Sequence, residues 1–391
     1  MKRLAWLALA VSSAAYAQDE RPTGYPRSAN ERAKGAVTLS GVYTGEVRSV
    51  LSGGLRRDTR YLDNLDLQVA VDGERAIGWQ GGRLFAYVIH NNGVGFSDAF
   101  VGDLQTVSNI ETGVKAARLF EAWAEQAIGS RGSVKAGLYN LNSEFDTTIS
   151  GGLFMLSSHG IGADLAQSGR NGPSIFPVTS LAVRGEWAPW DRLLLRAAVL
   201  DGVPGDPARP EATVVRFARG DGALVIAEAN YLTRGTKIGL GSWRYTAQFD
   251  PIDGGRPAAG NGGTYAFAEH QLTGSGERGG AGLTGWLRVG AADQRYNPIA
   301  GYLGAGLVQT SIGTARSDDQ AGVSVAIARF GAPYRREARA GRHEVVIEAS
   351  YRLAIAKWLS IQPDLQVVFQ PGGRPDIAPA VVPAVRFKLG L

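Results

Sequence analysis

Glu121, Trp123 and Glu125 occupy every second position of one run, Lys135 falls on the next, and Arg184 and Glu186 alternate on a third. On an extended chain, residues two apart share a face. Each run therefore sets charged or aromatic groups side by side. Such a set suits weak, reversible binding: fixed donors and acceptors replace the water around a polar solute, and arginine's planar fork can donate to two neighbouring groups. Catalytic readings are weaker. Ser157-Ser158-His159 puts hydroxyls beside an imidazole, as a hydrolase requires, but on a strand only Ser157 and His159 could share a face. The G-x-S-x-G signature is missing. Four histidines (His90, His159, His270, His343) lie far apart, with no H-E-x-x-H and no cysteine, so neither a metal nor a cofactor is expected. GSGERG (274–279) and GAGLTG (280–285) match G-x-G-x-x-G, but a chain with 53 glycines meets that pattern by chance. Neither stretch leads from a strand into a helix, as a dinucleotide site demands.

The elements that must carry these residues are strands. Apolar residues recur with a period of two almost throughout. Leu65, Leu67, Val69 and Val71 alternate with mostly polar neighbours, as do Leu181, Val183 and Trp187. Longer examples run from Val345 to Leu353 and from Leu359 to Phe369. A soluble sandwich would turn its apolar face to a core; a transmembrane barrel would turn it to lipid and its polar face to a wet lumen. Three features favour the barrel. Small residues on the apolar faces (Gly239, Gly241, Ala247, Ala349) would leave voids in a core. The runs reach about 10 residues, enough for a tilted strand to span hydrocarbon. Aromatic residues fall near run ends (Trp187, Trp190, Phe249, Trp358, Phe369), as an interfacial girdle requires.

The runs are 36–50, 60–73, 82–92, 118–128, 132–141, 179–189, 192–202, 222–233, 236–250, 263–272, 282–293, 301–312, 321–330, 344–356, 358–370 and 380–391. They predict an all-β, antiparallel transmembrane barrel of about 16 strands. Lipid offers no hydrogen-bond partners, so the sheet must close. The last run, AVVPAVRFKLGL, is apolar on one face to its end and is expected to pair with the first. Tight joints at Trp190-Asp191 and Lys357 alternate with long Gly/Pro-rich connections such as 201–221 and 251–263. The longest interval without a strand, 142–178, is expected to fold into the lumen.

MKRLAWLALAVSSAAYA reads as a secretory signal: a basic start (Lys2, Arg3), a short apolar stretch and a small-residue exit, with cleavage expected after Ala17. That leaves one barrel domain over 18–391, of which 18–34 is polar and irregular. No later stretch is apolar enough for a membrane helix. Removing Lys2 and Arg3 lowers the formal net charge from +5 to +3, and the charge is interspersed, which argues against nucleic acid as a partner.

The stretches NSEFD (142–146), SSHGIGADLAQSGRNGPSIFPVTSLAVRGEW (157–187), AAVLDGVPGDP (197–207) and WLSIQPDLQVVFQPGG (358–373) resemble the OprB family of carbohydrate-selective porins, and the likeness covers nearly the whole mature chain. It implies a sixteen-stranded outer-membrane barrel that passes sugars through a narrow eyelet. Outer-membrane lipid and lipopolysaccharide would surround it, as a monomer or homotrimer. Such barrels usually finish on an aromatic residue, whereas this chain finishes on Leu391, four residues after Phe387. By alternation the inward set comprises Asp66, Glu121, Trp123, Glu125, Lys135, Arg184, Glu186, Arg196, Arg244, Arg288 and Arg352. The interval that resembles the constriction region adds Asn142, Glu144, Phe145, His159 and Asp164. The pore-lining candidates are Asp66, Glu121, Trp123, Glu125, Lys135, Asn142, Glu144, Phe145, Arg184 and Glu186. A general porin for small hydrophilic solutes is the alternative, and a secreted carbohydrate-binding β-sandwich is the reading from another class.

Overall fold

A computed structural model describes residues 35–313 and 318–390, so the expected leader, residues 18–34 and Leu391 lie outside the described residues. The strands are β1 (Val37–Ser49), β2 (Thr59–Asp72), β3 (Gly82–Asn91), β4 (Ala116–Ile128), β5 (Gly132–Tyr139), β6 (Ser180–Trp190), β7 (Leu193–Asp201) and β8 (Ala223–Leu232). They continue as β9 (Thr236–Tyr245), β10 (Gly262–Gln271), β11 (Gly282–Ala292), β12 (Ile299–Thr310), β13 (Gln320–Phe330), β14 (His343–Ala356), β15 (Leu359–Phe369) and β16 (Ala380–Gly390). Each pairs antiparallel with its sequence neighbours, and β1 closes the barrel on β16 with Val42 opposite Gly390 and Arg48 opposite Ala384. Closure leaves no unpaired edge, as hydrocarbon demands. It also explains the apolar C-terminal run: β16 is bonded on both sides.

The outer face is apolar and bare, with Leu240, Val323, Val385 and Leu365 exposed. Trp187, Trp190, Trp358 and Phe369 are exposed near strand ends, as a girdle requires. Short connections gather at one end, for example 191–192 and 357–358. Long ones gather at the other: 92–115, 140–179 and 202–222. Val367 points outward in β15 between Leu365 and Phe369. Placing arginine there, one outward position from the Phe369 girdle, should cost roughly 1–2 kcal/mol, below the midplane value of about 2–4. A barrel whose heat-induced unfolding on SDS gels shifts by nothing would refute this placement of the lipid face.

The lumen is not an open tube. Two long connections enter it. Segment 140–179 carries short helices at Ser157–Gly160 and Ala163–Ala166. Segment 92–115 carries a π-helical turn at Ser97–Val101. Tyr139, Leu141, Phe145, Ile161 and Leu165 pack on Trp243, Tyr245, Tyr265 and Phe267 of the wall. Phe96, Phe100, Val101 and Val107 form a second cluster with Tyr302, Val346 and Val368.

This filling inverts one expectation. On β9 the inward face is Lys237, Gly239, Gly241, Trp243 and Tyr245, and Arg244 is exposed outside. Ala247 and Phe249 are likewise buried, so neither they nor the two glycines belong to the lipid face. The physical reason is that β9 faces packed protein rather than water, so its inner residues are apolar. Gly239 and Gly241 leave room for the rings of Phe267 and Tyr265 on the adjacent strand.

Candidate functional site

A cavity of about 1030 Å³ runs along the inner wall of β1–β5 and β16, lined on its other side by the two inward segments and by Asp206, Arg209, Pro210 and Ala212 of connection 202–222. A β-bulge shapes its wall. Tyr87 pairs with Glu121 but Val88 pairs with Leu119, so Phe120 and Glu121 both turn inward. Phe85 stacks on Trp123 with centroids 5.0 Å apart, Tyr87 meets Phe120 edge-on at 5.1 Å, and Phe120 meets Phe176 at 6.0 Å. An aromatic row therefore borders the cavity. Carboxylates lie alongside: Asp66 accepts from the Tyr87 hydroxyl (2.6 Å) and Asn64 Nδ2 (2.6 Å), and Glu121 accepts from Trp123 Nε1 (3.1 Å). Arg83 and Lys388 add cations to the lining.

Beside this row stands an ion-pair hub. The Glu144 carboxylate accepts from Lys135 Nζ (2.7 Å), the Tyr139 hydroxyl (2.6 Å), and Arg184 Nε and Nη2 (2.7 and 2.8 Å). Arg184 Nη2 also reaches Glu125 Oε1 (2.8 Å), and its Nη1 donates to Ser133 Oγ (2.6 Å). Arg196 pairs with Glu186 (2.6 Å) and donates to the Glu144 carbonyl (2.9 Å). Burial alone would push the Glu144 carboxyl up, but Lys135, Arg184 and Arg196 together hold it well below the ordinary carboxylate range. A depressed folded-state pKa gives stability that is present above the unfolded value and lost only as pH falls through the folded one. The Glu144 carboxylate therefore stays ionised below the pH at which an ordinary carboxylate protonates.

Asp66, Glu121, Trp123, Glu125, Lys135, Asn142 and Glu144 all line the cavity. Arg184, Glu186 and Phe145 do not. Arg184 is fully buried behind Glu144 with its donors engaged, Glu186 is held by Arg196, and Phe145 lies in an apolar cluster. Trp123 is flanked by Phe85 from β3 and by the Lys135 ammonium, 4.1 Å from its ring, from β5. Its broad faces are therefore taken, and Phe85 and Tyr87 complete the aromatic surface that it begins.

Other inward polar residues hold segment 140–179 in place. Asp146 N donates to Glu228 of β8 (2.7 Å), Lys237 of β9 donates to the Thr147 carbonyl (2.7 Å), and Ser150 N donates to Glu269 of β10 (2.5 Å). Gln362 of β15 donates to the Leu153 carbonyl (2.6 Å), and Met155 N donates to Glu348 of β14 (2.6 Å). Arg288 of β11 grips Asp146 (2.8 Å) and Asp164. His159 and Ser158 lie on a short helix rather than a strand and are buried beside Tyr302. Burial takes the His159 imidazole down to about 3, so it is neutral, and no activated nucleophile results.

Segment 92–115 is the part that alternation misses. Leu104 N and Gln105 N donate to Glu344 (2.9 and 3.0 Å), and Ser97 N donates to Glu111 (2.8 Å). Burial, then the neighbouring Asp103, pushes the Glu111 carboxyl up to about 8, and burial lifts Asp103 to about 6. A raised folded-state pKa gives stability that is complete below the unfolded value, near 4.3, and is lost as pH rises through about 8. Open-channel current noise should therefore grow between pH 5 and pH 9. Glu111→Gln should flatten that dependence; a wild-type channel equally quiet at both pH values would disprove it.

Comparison with known proteins gives three results. The family model described as carbohydrate-selective porin, OprB family, matches residues 56–391. Porin B of Pseudomonas aeruginosa is 22% identical over 397 aligned positions, covering 88% of this chain and 86% of that protein. The high-pH structure of Pseudomonas putida OprB superposes with a TM-score of 0.80 at 19% identity, covering 91% of this chain and 94% of the other; its low-pH structure gives 0.59 at 17% identity, covering 91% and 93%.

Proposed function

We propose, because this chain belongs to the OprB family of carbohydrate-selective porins, that sugars cross the outer membrane by passive diffusion through the cavity beside β1–β5. The observation that carries this route is the aromatic row Phe85–Trp123 and Tyr87–Phe120, bordered by Asp66, Glu121 and the Lys135–Glu144 pair. A pyranose has an apolar ring face and a rim of hydroxyls. Phe85 and Tyr87 meet the face; the charged rim accepts from and donates to the hydroxyls. Cations and carboxylates stand in similar numbers, so the local field favours neither sign and strongly charged solutes gain nothing by entering. Binding must stay weak, since a solute held tightly does not leave. The residues act as a channel lining rather than as catalysts. The working domain is 18–391, with 1–17 removed on export.

Liposome swelling tests the route. Phe85→Ala should slow glucose entry by roughly 2- to 10-fold, the equivalent of about 0.5–1.5 kcal/mol of ring contact. Entry of a neutral amino acid of similar size should hold steady. Equal slowing of both solutes would assign Phe85 to pore shape alone. Equal wild-type rates for the two solutes would favour the general-porin alternative.

A further inference from the structure

Outward positions of the barrel strands are overwhelmingly apolar, and β12–β15 carry no carboxylate among theirs. Yet at the long-loop end of this stretch Arg329 of β13 and His343 of β14 face each other across the strand pair, both exposed on the outer side. Arg329 lies against β12, donating from Nη2 to the Ala300 carbonyl (3.3 Å), and a side chain at Gly301 would crowd its guanidinium. The residue as a whole stays exposed. Arg342 is exposed beside His343, and Arg339 lies further along the same connection. Phe369, a girdle residue, sits one outward position below, opposite Val345.

Two outward positions below Arg329 and His343 lie Val325 and Ile347. These two line a groove of about 670 Å³ in the outer surface of β10–β14. Its floor is made of small residues, Ala305, Gly306 and Gly285, its sides include Leu287 and Leu307, and it runs on to His270 and Leu272 at the short-connection end of β10, so that its upper part, at Val325, Ile347 and Ala305, lies below the cations. Cations at headgroup level above an apolar groove are complementary to one kind of molecule: a lipid with phosphate at its head and acyl chains below. The long connections face outward from the cell in barrels of this class, which places the cations in the outer leaflet.

We propose that Arg329, Arg342 and His343 bind the phosphate groups of the lipid A part of lipopolysaccharide, with an acyl chain in the Ala305–Gly306 groove. Two arginines and a histidine ring suit a headgroup with more than one phosphate, and arginine's fork matches phosphate oxygens two at a time. The inference rests on the outer-membrane placement that family membership carries, and it is independent of the sugar route.

The test uses the full mature barrel in detergent micelles and native mass spectrometry with three probes: bis-phosphorylated lipid A, the same lipid with its phosphates removed, and phosphatidylglycerol. Wild type should hold bis-phosphorylated lipid A at least tenfold more tightly than either other probe. The R329A/R342A/H343A variant should lose that advantage while keeping its heat-modifiable migration and its conductance, and Ala305→Phe should weaken binding by blocking the groove. If the triple variant fails to fold, the phosphorylated and dephosphorylated lipids compared on wild type still decide. Equal binding of those two lipids, phosphatidylglycerol bound as tightly as lipid A, or full competition by inorganic phosphate at about 10 mM, the range of a weak free-anion site, would each overturn the proposal.

Discussion

Replacing Glu144 with alanine should destabilise the inward segment by about 3–5 kcal/mol, because Lys135 and Arg184 are then left as buried cations without their shared partner. The expected result in planar bilayers is a larger, noisier conductance with less preference for sugar over a neutral amino acid. The strands themselves do not depend on Glu144, so the barrel should still form. Two effects are separable. Loss of a lumen acceptor would change selectivity at constant noise; loss of the anchor would raise both conductance and noise. Removing Lys135 as well, as in K135M/E144A, should restore part of the lost stability, since one unpaired buried charge disappears with it. Conductance and noise indistinguishable from wild type in Glu144→Ala would show that the segment stays in place without its hub.

The hub was only half visible in the sequence. Period-two alternation located all sixteen strands to within a few residues because each strand has one face in lipid, and that contrast is strong. Alternation also brought Glu125, Lys135 and Arg184 to one wall, as the register confirms: Glu125 faces Lys135, and Lys135 faces Arg184. What alternation cannot tell is what fills the inside. On the wall from β8 to β15 the inward charges meet the inward segments: Glu228, Glu269 and Glu348 accept from backbone N–H groups of segment 140–179, Arg288 pairs with its Asp146 and Asp164, and Glu344 accepts from segment 92–115. On β9 the same filling makes the inner face aromatic, and Arg244, whose polarity suggested the lumen, lies outside. Segment 92–115 was legible in principle. Phe96, Phe100, Val101 and Val107 are too apolar for an exposed connection, yet they keep no strand period. The bulge that turns both Phe120 and Glu121 inward breaks the period by one residue and leaves no mark in composition.

The Arg288 anchor offers the cleaner trial of this architecture, because neither Arg288 nor its partners Asp146 and Asp164 line the cavity. Arg288 holds Asp146 and Asp164 across more than a hundred residues of chain, with its guanidinium 5.2 and 5.3 Å from the rings of Tyr265 and Tyr302. It is buried and absent from the cavity lining. Arg288→Ala leaves two buried carboxylates facing each other without a cation, at a cost of about 3–5 kcal/mol. Asp146 N and Gly162 N then hang on groups that repel, Glu228 and Asp146 among them. If the anchored segment sets the width of the sugar path, this variant should raise conductance and blunt sugar preference although no lining residue has changed. Arg288→Met, which keeps much of the volume, should do the same, because charge rather than bulk is what the carboxylates lack. Protonating Asp164, whose carboxyl burial already pushes up, should partly reverse the effect, so both variants should move towards wild-type conductance as the bath is acidified. A variant that loses heat stability by the expected amount while conducting sugars as wild type does would mean that the path is set by the β1–β5 wall alone, and that the segment fills the lumen without gating it.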